Sequence, residues 1–515
     1  MLFRSNIIYL KQKNPRQILS DLSSQIFKKK PQNLIAVTGT NGKTSIANFY
    51  YQILKKNKKK VASFGTLGIS GKKKIENTSN TTFDPIKIGK NLNYLEKKKI
   101  NNVILEASSH GLKQHRLDGL KFDVGIFTNL SRDHLDYHKT FKDYLNAKLI
   151  LFKKLMKKGS VAIFDEDTKY AEILKNICKK NKIKKFTIGE LNGDLLIEKY
   201  SIDDNKQELA FSFNKKKYNL KTQLIGKIQI KNLLMSILAA HKSNIKLDNI
   251  LKSVENIKAV PGRFEEIGNF KNNSIAILDY AHTPDALKTC VLNIKEQFKH
   301  RKVNLVFGCG GDRDKPKRSI MGKIANDLCD KIYLTDDNPR TESPKKIRNE
   351  IKAKILKSKL IEISSRKNAI EKAIKDLRSD EILIVAGKGH ENYQEYYTKK
   401  FFSDKACIIG AIDKKNKKLS KNLKTNILKE HLNKKISNNF FINQASINSK
   451  DLKKNDIFFG IKGKNIDGNK FADVALKKKA SICILEKNYS KKNSRKIFRS
   501  EEHTSELQSP DHLVC

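Results

Sequence analysis

The feature that most constrains this chain is a glycine-bounded loop between a short apolar run and an amphipathic segment. The loop reads Gly39-Thr40-Asn41-Gly42-Lys43-Thr44-Ser45. Residues 34–37 before it are apolar and partly β-branched, which predicts a buried strand, and residues 46–54 after it carry apolar side chains at helical spacing. Strand, loop and helix together predict a phosphate cradle, because backbone N–H groups and the positive end of the helix dipole face the anion.

The polar end of this loop indicates nucleotide chemistry. We expect Lys43 to reach the outer phosphates and the Thr44 hydroxyl to contact Mg²⁺. The spacing departs from the ordinary P-loop, because Val37 stands where its first glycine is expected. The longer string resembles the ATP loop of the Mur ligases, which add amino acids one by one to the peptidoglycan precursor. The resemblance implies that residues 39–45 bind ATP.

Composition limits the classes of function. The 515 residues are enough for about three domains. The formal net charge of +51 favours polyanions, yet the lysines are spread along the chain beside abundant Asn and Ile, which indicates a coding bias. No apolar run approaches the ~18–20 residues of a membrane span, and no signal peptide is evident. The seven cysteines contain no CxxC pair, so we expect a reducing, cytoplasmic location and no zinc site.

The order of apolar segments predicts an α/β fold. Strands alternate with helical segments over residues 34–245 and again over residues 246–412, as in parallel sheets. The resemblance assigns the first unit as the central ATP-binding domain and the second as a Rossmann-like C-terminal domain that binds the amino acid. Expected strands lie at residues 61–64, 102–106, 124–129 and 160–165, then at 275–279, 303–308, 331–335 and 382–386. A helix is expected over residues 224–240.

Three residues after the loop are candidates for metal binding. Glu106 ends an expected strand, where α/β sheets bind ligands, and a carboxylate beside phosphate is the usual Mg²⁺ arrangement. His134 lies among two His and two Asp in six residues, which by themselves also fit a transition-metal site. The resemblance implies instead that His134 helps hold a second Mg²⁺ and that Lys148 is carbamylated and orients it. The implied metal set is Thr44, Glu106, His134 and Lys148.

The resemblance also assigns residues to the nucleotide and to catalysis. Asn232 matches an adenine-side residue, although Gln229 stands where the family has Asn. Arg263 matches the linker arginine that reaches the γ-phosphate, and His282 matches a nucleotide-facing loop of the C-terminal domain. The implied catalytic set is Lys43, Lys148, Arg263 and His282.

Within the family the resemblance narrows to the MurE ligases, which add the third residue of the peptide. The string Asp337-Asn338-Pro339-Arg340 looks like the signature of the enzymes that add meso-diaminopimelate. Diaminopimelate carries a second carboxylate that lysine lacks, and a bidentate Arg pair supplies that discrimination. Glu391 is implied to accept the distal ammonium, and Arg313 to pair with a carboxylate of the same amino acid. The substrate set is Asn80, Thr81, Thr82, Ser108, Gln114 and Arg116 for UDP-MurNAc-dipeptide, with Arg313, Asp337, Asn338, Pro339, Arg340, Gly387 and Glu391 for diaminopimelate.

The ends of the chain are assigned separately. Residues 1–33 are a short remnant without room for the uridine-binding domain of the family, and residues 413–438 are expected to be a linker. Residues 439–498 resemble the start of MurF, the next ligase, which makes a MurE–MurF fusion one hypothesis and an unrelated α/β appendage another. Residues 1–5 and 499–515 resemble translated sequencing adaptor, so we expect a truncated reading frame.

The function that the resemblance implies is a monomeric, ATP-dependent ligase that joins meso-diaminopimelate to UDP-MurNAc-L-Ala-D-Glu through an acyl phosphate. Three alternatives stay open: a folyl-polyglutamate-synthetase-like ligase, an inactive ATP-binding fragment, and a basic nucleic-acid-binding protein. Steep salt dependence of binding to DNA would favour the last of these.

Overall fold

The computed structural model describes residues 13–71, 80–203, 206–419, 423–424, 441–442, 444–463, 466–486 and 497–499. The predicted foreign segment at residues 1–5, all but Arg499 of the predicted foreign segment at residues 499–515, and most of the predicted linker lie outside these residues.

The central domain is built on one mixed sheet. Its strands are β1 (Asn33–Thr38), β2 (Val61–Gly65), β3 (Gly68–Ser70), β4 (Asn102–Glu106), β5 (Phe122–Phe127), β6 (Met156–Asp165), β7 (Lys184–Gly189), β8 (Leu195–Asp203), β9 (Lys206–Phe213) and β10 (Lys216–Thr222). Among the described residues they form a ten-stranded sheet in the order β10-β9-β8-β7-β6-β5-β1-β4-β2-β3. The middle of the sheet is parallel, as the sequence predicts.

Both edges of this sheet differ from the prediction, since β3 at one edge is antiparallel to β2. Strands β8, β9 and β10 form an antiparallel meander, whereas the sequence predicts only parallel strands up to residue 245. The reason lies in the side-chain pattern, since buried residues alternate with less buried ones along β9. One face of the meander therefore packs on the core while the other meets solvent, which antiparallel strands permit.

Helices cover both faces of the central sheet. Their bounds are α1 (Pro15–Ile26), α2 (Lys43–Lys56), α3 (Pro85–Lys97), α4 (Ser109–Lys113), α5 (Leu135–His138), α6 (Phe141–Ile150), α7 (Ala171–Lys180), α8 (Lys227–Lys242) and α9 (Leu247–Val254), with a π-helical turn at Leu151–Leu155. Helix α2 packs against α8 over a core that includes Phe49, Ile230 and Leu234. Because α2 begins at the predicted phosphate loop, this packing fixes the direction of the helix end that faces the site.

The C-terminal domain repeats the three-layer plan. Its strands are β11 (Glu265–Glu266), β12 (Ile275–Asp279), β13 (Val303–Phe307), β14 (Lys331–Leu334), β15 (Leu360–Glu362) and β16 (Ile382–Ala386), followed by a hairpin of β17 (Tyr393–Tyr396) and β18 (Thr398–Phe401). The main sheet has the order β11-β12-β16-β13-β14-β15 and is parallel except for β11. The helices are α10 (Pro284–Gln297), α11 (Lys317–Leu328), α12 (Pro344–Lys352), α13 (Arg366–Asp376) and α14 (Asp404–Leu419).

Helix α14 continues past the predicted start of the linker at residue 413. Ile408 and Ile412 are buried in the domain core, and Lys415 donates a hydrogen bond to the Ile374 carbonyl at 2.8 Å. The polar composition after residue 412 is therefore that of a solvated helix end that still belongs to the domain. A sequence reading by composition cannot separate such an end from a linker.

A small third unit follows. It contains β19 (Leu423–Lys424), β20 (Phe441–Ile442), β21 (Ala445–Ser446), β22 (Ile457–Gly460), β23 (Ile482–Leu485) and β24 (Ile497–Arg499), with a 3-10 turn at Gly468–Phe471 and helix α15 (Ala472–Lys477). Strands β21 to β24 form a parallel sheet, which agrees with an α/β module at this position. In the described part of the chain, no helix combines the length and apolar character that crossing a bilayer requires.

Candidate functional site

The glycine loop follows β1 at the carboxyl edge of the central sheet, where β4 and β5 flank β1 on opposite sides. In the parallel ladders, Val37 pairs with Glu106 of β4 and Thr38 pairs with Phe127 of β5. Such a switch point opens a crevice beyond the strand ends. Gly42 precedes α2 with a φ of 87°, a left-handed conformation that favours glycine. A Cβ there would lie 2.5 Å from the Asn232 Oδ1 atom, so the loop and α8 approach closely.

Lys43 is the first residue of α2, and its side chain folds back over the loop. Its Nζ donates to the carbonyl oxygens of Gly39 at 2.8 Å and Thr40 at 2.7 Å. Burial lowers the pKa of Lys43, and the nearby Arg263 charge adds to this, while Glu106 and Asp133 oppose it. The ammonium is thus held at the centre of the loop, where a bound phosphate would meet it.

Glu106 and Thr44 form the opposite wall of the loop. Glu106 is buried, and its Oε2 accepts hydrogen bonds from the Thr44 and Thr66 hydroxyls at 3.0 Å each. Its Oε1 accepts one from the Thr66 backbone N–H at 2.9 Å. Burial raises the pKa of Glu106, and the Lys43 charge works against that rise. Thr66 was not identified from the sequence, although it directly follows a strand in the string Gly65-Thr66.

Lys148 reaches the same loop from α6. Its side chain is 1% exposed, its Nζ donates to the Gly39 carbonyl at 2.7 Å, and the ammonium lies 4.4 Å from the centre of the Tyr144 ring. Burial, reinforced by the Lys43 charge, lowers the pKa of Lys148 well below its ordinary value. A buried lysine with a lowered pKa has the neutral amine that carbamylation requires.

His134 lies beside Asp133, which the sequence analysis did not assign. The His134 Nε2 and the Asp133 Oδ2 are 3.4 Å apart, and the His134 ring contacts those of His110 and Tyr144. Burial tends to raise the pKa of Asp133, but the charges of His134 and His282 hold it below its ordinary value. Because His282 belongs to the C-terminal domain, this carboxylate connects the two domains electrostatically.

The residues present fit a magnesium ion held partly by phosphate. The described residues contain no group of three or more His, Cys, Asp or Glu side chains that could hold a metal alone. The transition-metal alternative for the segment around His134 therefore gains no support. Mg²⁺ is commonly held by one or two protein groups together with substrate phosphates, and the adjacent Thr44 hydroxyl and Glu106 carboxylate match that chemistry.

Helix α8 brings its two amides to the loop. Asn232 and Gln229 are both buried, and the Asn232 Nδ2 donates to the Gln229 Oε1 at 3.1 Å. Gln229, which replaces the expected asparagine, is thus paired with Asn232.

On the other side of the loop, the Arg263 guanidinium lies 4.1 Å from the centre of the Tyr280 ring. His282 donates from Nδ1 to the Tyr280 carbonyl at 2.9 Å, which leaves its Nε2 as the acceptor nitrogen.

The residues predicted to contact the dipeptide substrate form one cluster next to Glu106. The Thr82 hydroxyl donates to the Glu106 carbonyl at 2.8 Å and lies 2.9 Å from the Ser108 hydroxyl. Arg116 donates to the Thr82 carbonyl and, through two nitrogens, to Gln114. Thr81 is 3.3 Å from the Thr66 hydroxyl, and Asn80 is exposed at the edge of the cluster.

The predicted amino-acid pocket is organised around a lysine that the sequence analysis left unassigned. Lys388 is buried, and its Nζ donates to the Asn338 side chain at 2.8 Å and lies 3.4 Å from Asp337. The same Nζ is 3.8 Å from Glu391, whose Oε1 accepts from the Tyr280 hydroxyl at 3.0 Å. Gly387 connects strand β16 to this group. Burial raises the pKa of Glu391 above its ordinary value, although the Lys388 charge opposes the rise.

Arg340 has the left-handed backbone conformation, with a φ of 55°, directly after Pro339. Its N–H donates to the Glu395 carbonyl at 3.1 Å, and its Nη1 donates to the Gly311 carbonyl at 2.7 Å. Its Nε is 3.3 Å from the Glu395 carboxylate. Non-glycine residues in this conformation are held there by their surroundings, and they concentrate at functional sites.

The two arginines of the segment after β13 differ in burial. Arg313 is exposed on the loop after β13. The buried arginine of this region is Arg318, which donates to Glu342 at 2.9 and 3.0 Å and to Glu350 at 2.8 Å. Its signal in the sequence is weak, since nothing but burial distinguishes it from the many basic residues nearby.

A charge effect and two contacts lead from the phosphate loop to the amino-acid pocket. Lys43 and Arg263 are close enough to lower the Lys43 pKa, Arg263 stacks on Tyr280, and Tyr280 donates to Glu391. Across the same boundary, the Arg132 N–H of the central domain donates to the Asp285 carboxylate at 3.0 Å. The phosphate loop and the Tyr280–Glu391 part of the amino-acid pocket are therefore linked across the boundary between the two domains.

The fold and the site define an ATP-using α/β enzyme whose second domain meets the first over a phosphate loop. The family description "Mur ligase middle domain" matches residues 37–240, and "Mur ligase, glutamate ligase domain" matches residues 262–389. A protein of Rickettsia montanensis named UDP-N-acetylmuramoyl-L-alanyl-D-glutamate–2,6-diaminopimelate ligase is 41% identical over 408 residues, which is 78% of this chain and 84% of that protein. The chain belongs to the Mur ligase family of ATP-dependent, amide-bond-forming ligases.

Other comparisons agree with this assignment. A relative of the same name from Chelativorans is 38% identical over 400 residues, covering 78% of this chain and 82% of that protein. A solved structure of a ligase with that name has a TM-score of 0.57 at 32% identity, covering 78% of this chain and 83% of that one. The Mycobacterium tuberculosis folylpolyglutamate synthase complexed with ADP and AMPPCP has a TM-score of 0.60 at 16% identity over 72% of this chain and 92% of that one, which shows a shared fold alone.

Proposed function

We propose that this chain adds meso-diaminopimelate to UDP-MurNAc-L-Ala-D-Glu, with ATP, in peptidoglycan precursor synthesis. The observation that carries the proposal is the group around Lys388, whose Nζ donates to Asn338 and lies 3.8 Å from Glu391, with Arg340 two residues after Asn338. An arginine suits the distal carboxylate and a buried carboxylate suits the ammonium beside it. A lysine substrate would pair its ammonium with Glu391 but would leave Arg340 without a carboxylate partner. The pocket therefore favours diaminopimelate.

ATP first transfers its terminal phosphoryl group to the γ-carboxylate of the D-Glu residue. Lys43 and Arg263, whose charges are close enough to influence each other, stabilise the charge that moves between donor and acceptor. The amine of diaminopimelate then attacks the acyl phosphate, and phosphate leaves from the tetrahedral intermediate. Most of the rate enhancement comes from positioning, since the enzyme forms no covalent bond to substrate.

Magnesium would be held by Thr44 and Glu106, with His134 and carbamylated Lys148 toward a second ion. When bound, Mg²⁺ supplies neutralisation of phosphate charge. Side chains of the protein position these groups. Thr66 donates hydrogen bonds to both carboxylate oxygens of Glu106, and Asp133 lies near the charges of His134 and His282. Because Nδ1 bonds to the Tyr280 carbonyl, the His282 Nε2 would act toward the nucleotide as an acceptor or, when protonated, as a donor.

The substrate assignments follow the same division of the site. Thr81, Thr82, Ser108, Gln114 and Arg116, with Asn80 at the rim, are proposed to contact the UDP-MurNAc-dipeptide. Arg313, on an exposed loop, is proposed to reach the amino-acid carboxylate only when substrate is present. The reaction uses ATP, and we propose the cytoplasm as its location.

The deciding experiment measures phosphate release by the purified chain with ATP and UDP-MurNAc-L-Ala-D-Glu, with and without meso-diaminopimelate. We expect turnover that requires all three substrates and falls sharply when L-lysine replaces diaminopimelate. Detection of the tripeptide product by mass spectrometry completes the test. Nucleotide binding without product would contradict the proposal and favour an inactive fragment, and turnover with a folate substrate would favour the folyl-polyglutamate-synthetase-like alternative.

A further inference from the structure

Helix α8 lacks a side-chain cap from its own domain. The residue before it is Gly226, which has a φ of 87° and no side chain to accept from the first-turn N–H groups. Two side chains of helix α10, in the C-terminal domain, take that role. The Gln297 Oε1 accepts from the Gly226 N–H at 2.7 Å, and the Asn293 Oδ1 accepts from the Ile228 N–H at 3.0 Å. The start of α8 is therefore capped across the domain boundary.

The arrangement is specific in its geometry. Asn293 and Gln297 are four residues apart, so they lie on one face of α10. The Asn293 Nδ2 donates to the Thr289 carbonyl at 2.9 Å, which turns its oxygen toward α8. A Cβ on Gly226 would lie 3.0 Å from the Asn293 Cβ, so glycine permits the close approach of the two elements.

The capped helix leads directly to the phosphate loop. One turn into α8, Gln229 pairs with Asn232, and the Asn232 Oδ1 is the atom that a Cβ on Gly42 would meet at 2.5 Å. Helix α8 also packs against α2, the helix that begins at Lys43. A change in the position of the first turn of α8 is thus transmitted to the loop through contacts of buried side chains.

We propose that Asn293 and Gln297 are positioning residues through which the docked C-terminal domain strengthens nucleotide binding in the central domain. The nucleotide role of Asn232 rests on the proposed function, whereas the cross-domain cap is a contact in the structure. Because thermodynamic coupling is reciprocal, bound nucleotide also favours the docked arrangement of the two domains.

The chemistry of a cap makes a specific requirement. The first turn of a helix needs an acceptor oxygen, and a carboxylate satisfies it as well as an amide does because the helix N-terminus is electropositive. Aspartate at 293 and glutamate at 297 should therefore preserve the coupling. Alanine at the same positions should remove it. A purely space-filling role would make no such distinction.

The test measures the Kd for ADP on the full chain by isothermal titration calorimetry. We expect Asn293→Ala combined with Gln297→Ala to weaken ADP binding about tenfold, and either single variant about threefold. Asn293→Asp and Gln297→Glu should stay within about twofold of the parent value. The matched control is Glu296→Ala, which changes an exposed residue of the same helix. Thermal unfolding of each variant shows that the fold is retained.

Two results would overturn the proposal. One is an unchanged Kd for ADP in the folded double alanine variant. The other is equal weakening by the alanine and the carboxylate variants, which would indicate packing instead of capping. Should the double alanine variant fail to fold, the single alanine variants compared with the single carboxylate variants still decide the question. The readout needs no diaminopimelate, so failure of the proposed substrate assignment would leave this test intact.

Discussion

Replacement of Arg340 by alanine tests the substrate assignment most directly. Two unit charges 4 Å apart interact by about 4 kcal/mol at the effective dielectric constant of a partly exposed site. The Arg340 side chain is 23% exposed, and Glu395 at 3.3 Å already neutralises part of its charge. A charge-assisted pair with the distal carboxylate of diaminopimelate is then worth about 2–3 kcal/mol, within the usual range for hydrogen bonds to charged groups.

This energy predicts that Arg340→Ala raises the KM for meso-diaminopimelate by about 30- to 150-fold. The KM for ATP should stay within about twofold, because Lys43 and its partners are unaltered. Phosphate release at varied diaminopimelate and saturating ATP is the assay. Arg378→Ala, which removes an exposed arginine from the same domain, is the control for net charge. An unchanged KM for diaminopimelate in Arg340→Ala would refute the reasoning, as would an equal loss of ATP affinity.

Three further predictions concern the phosphate loop. Gly42→Ala should weaken ATP binding at least tenfold, measured by calorimetry, because a Cβ would strain a φ of 87° and meet Asn232 at 2.5 Å. Glu106→Gln should abolish turnover, yet it should raise the free energy of unfolding at pH 7. Because burial raises the Glu106 pKa, the wild-type folded state loses stability as the pH rises from the ordinary pKa of 4.5 through the raised pKa. Denaturant titrations should therefore show that the stability gained by the Gln variant vanishes below pH 4.5. Lys148→Ala should lose turnover and the lysine-linked carbamate signal seen by ¹³C NMR in bicarbonate, while Lys148→Arg, which cannot be carbamylated, should fail equally.

Much of the fold could be predicted from the sequence because the relevant patterns are local. Strands β4, β12 and β16 have the predicted bounds, since each is a short apolar run that is buried on both faces. The meander of β8, β9 and β10 was not predicted, because its moderate alternation resembles many polar, lysine-rich segments of this chain. The linker was predicted to begin at residue 413, inside α14, because the end of that helix is equally polar and rich in lysine.

The sequence alone determined the chemistry that the chain carries: the loop from Gly39 to Ser45, the carboxylate Glu106 and the Asp337–Arg340 string are each readable from residue type and spacing. Tertiary structure decided which residues act together. Thr66 and Lys388 became part of the site only through contacts made by segments far apart in the chain, and Asp133 did so through the nearby charge of His282. The cap that α10 gives to α8 has the same origin. Hydrogen bonds and burial between distant segments depend on how the domains pack, and no short sequence pattern records that packing.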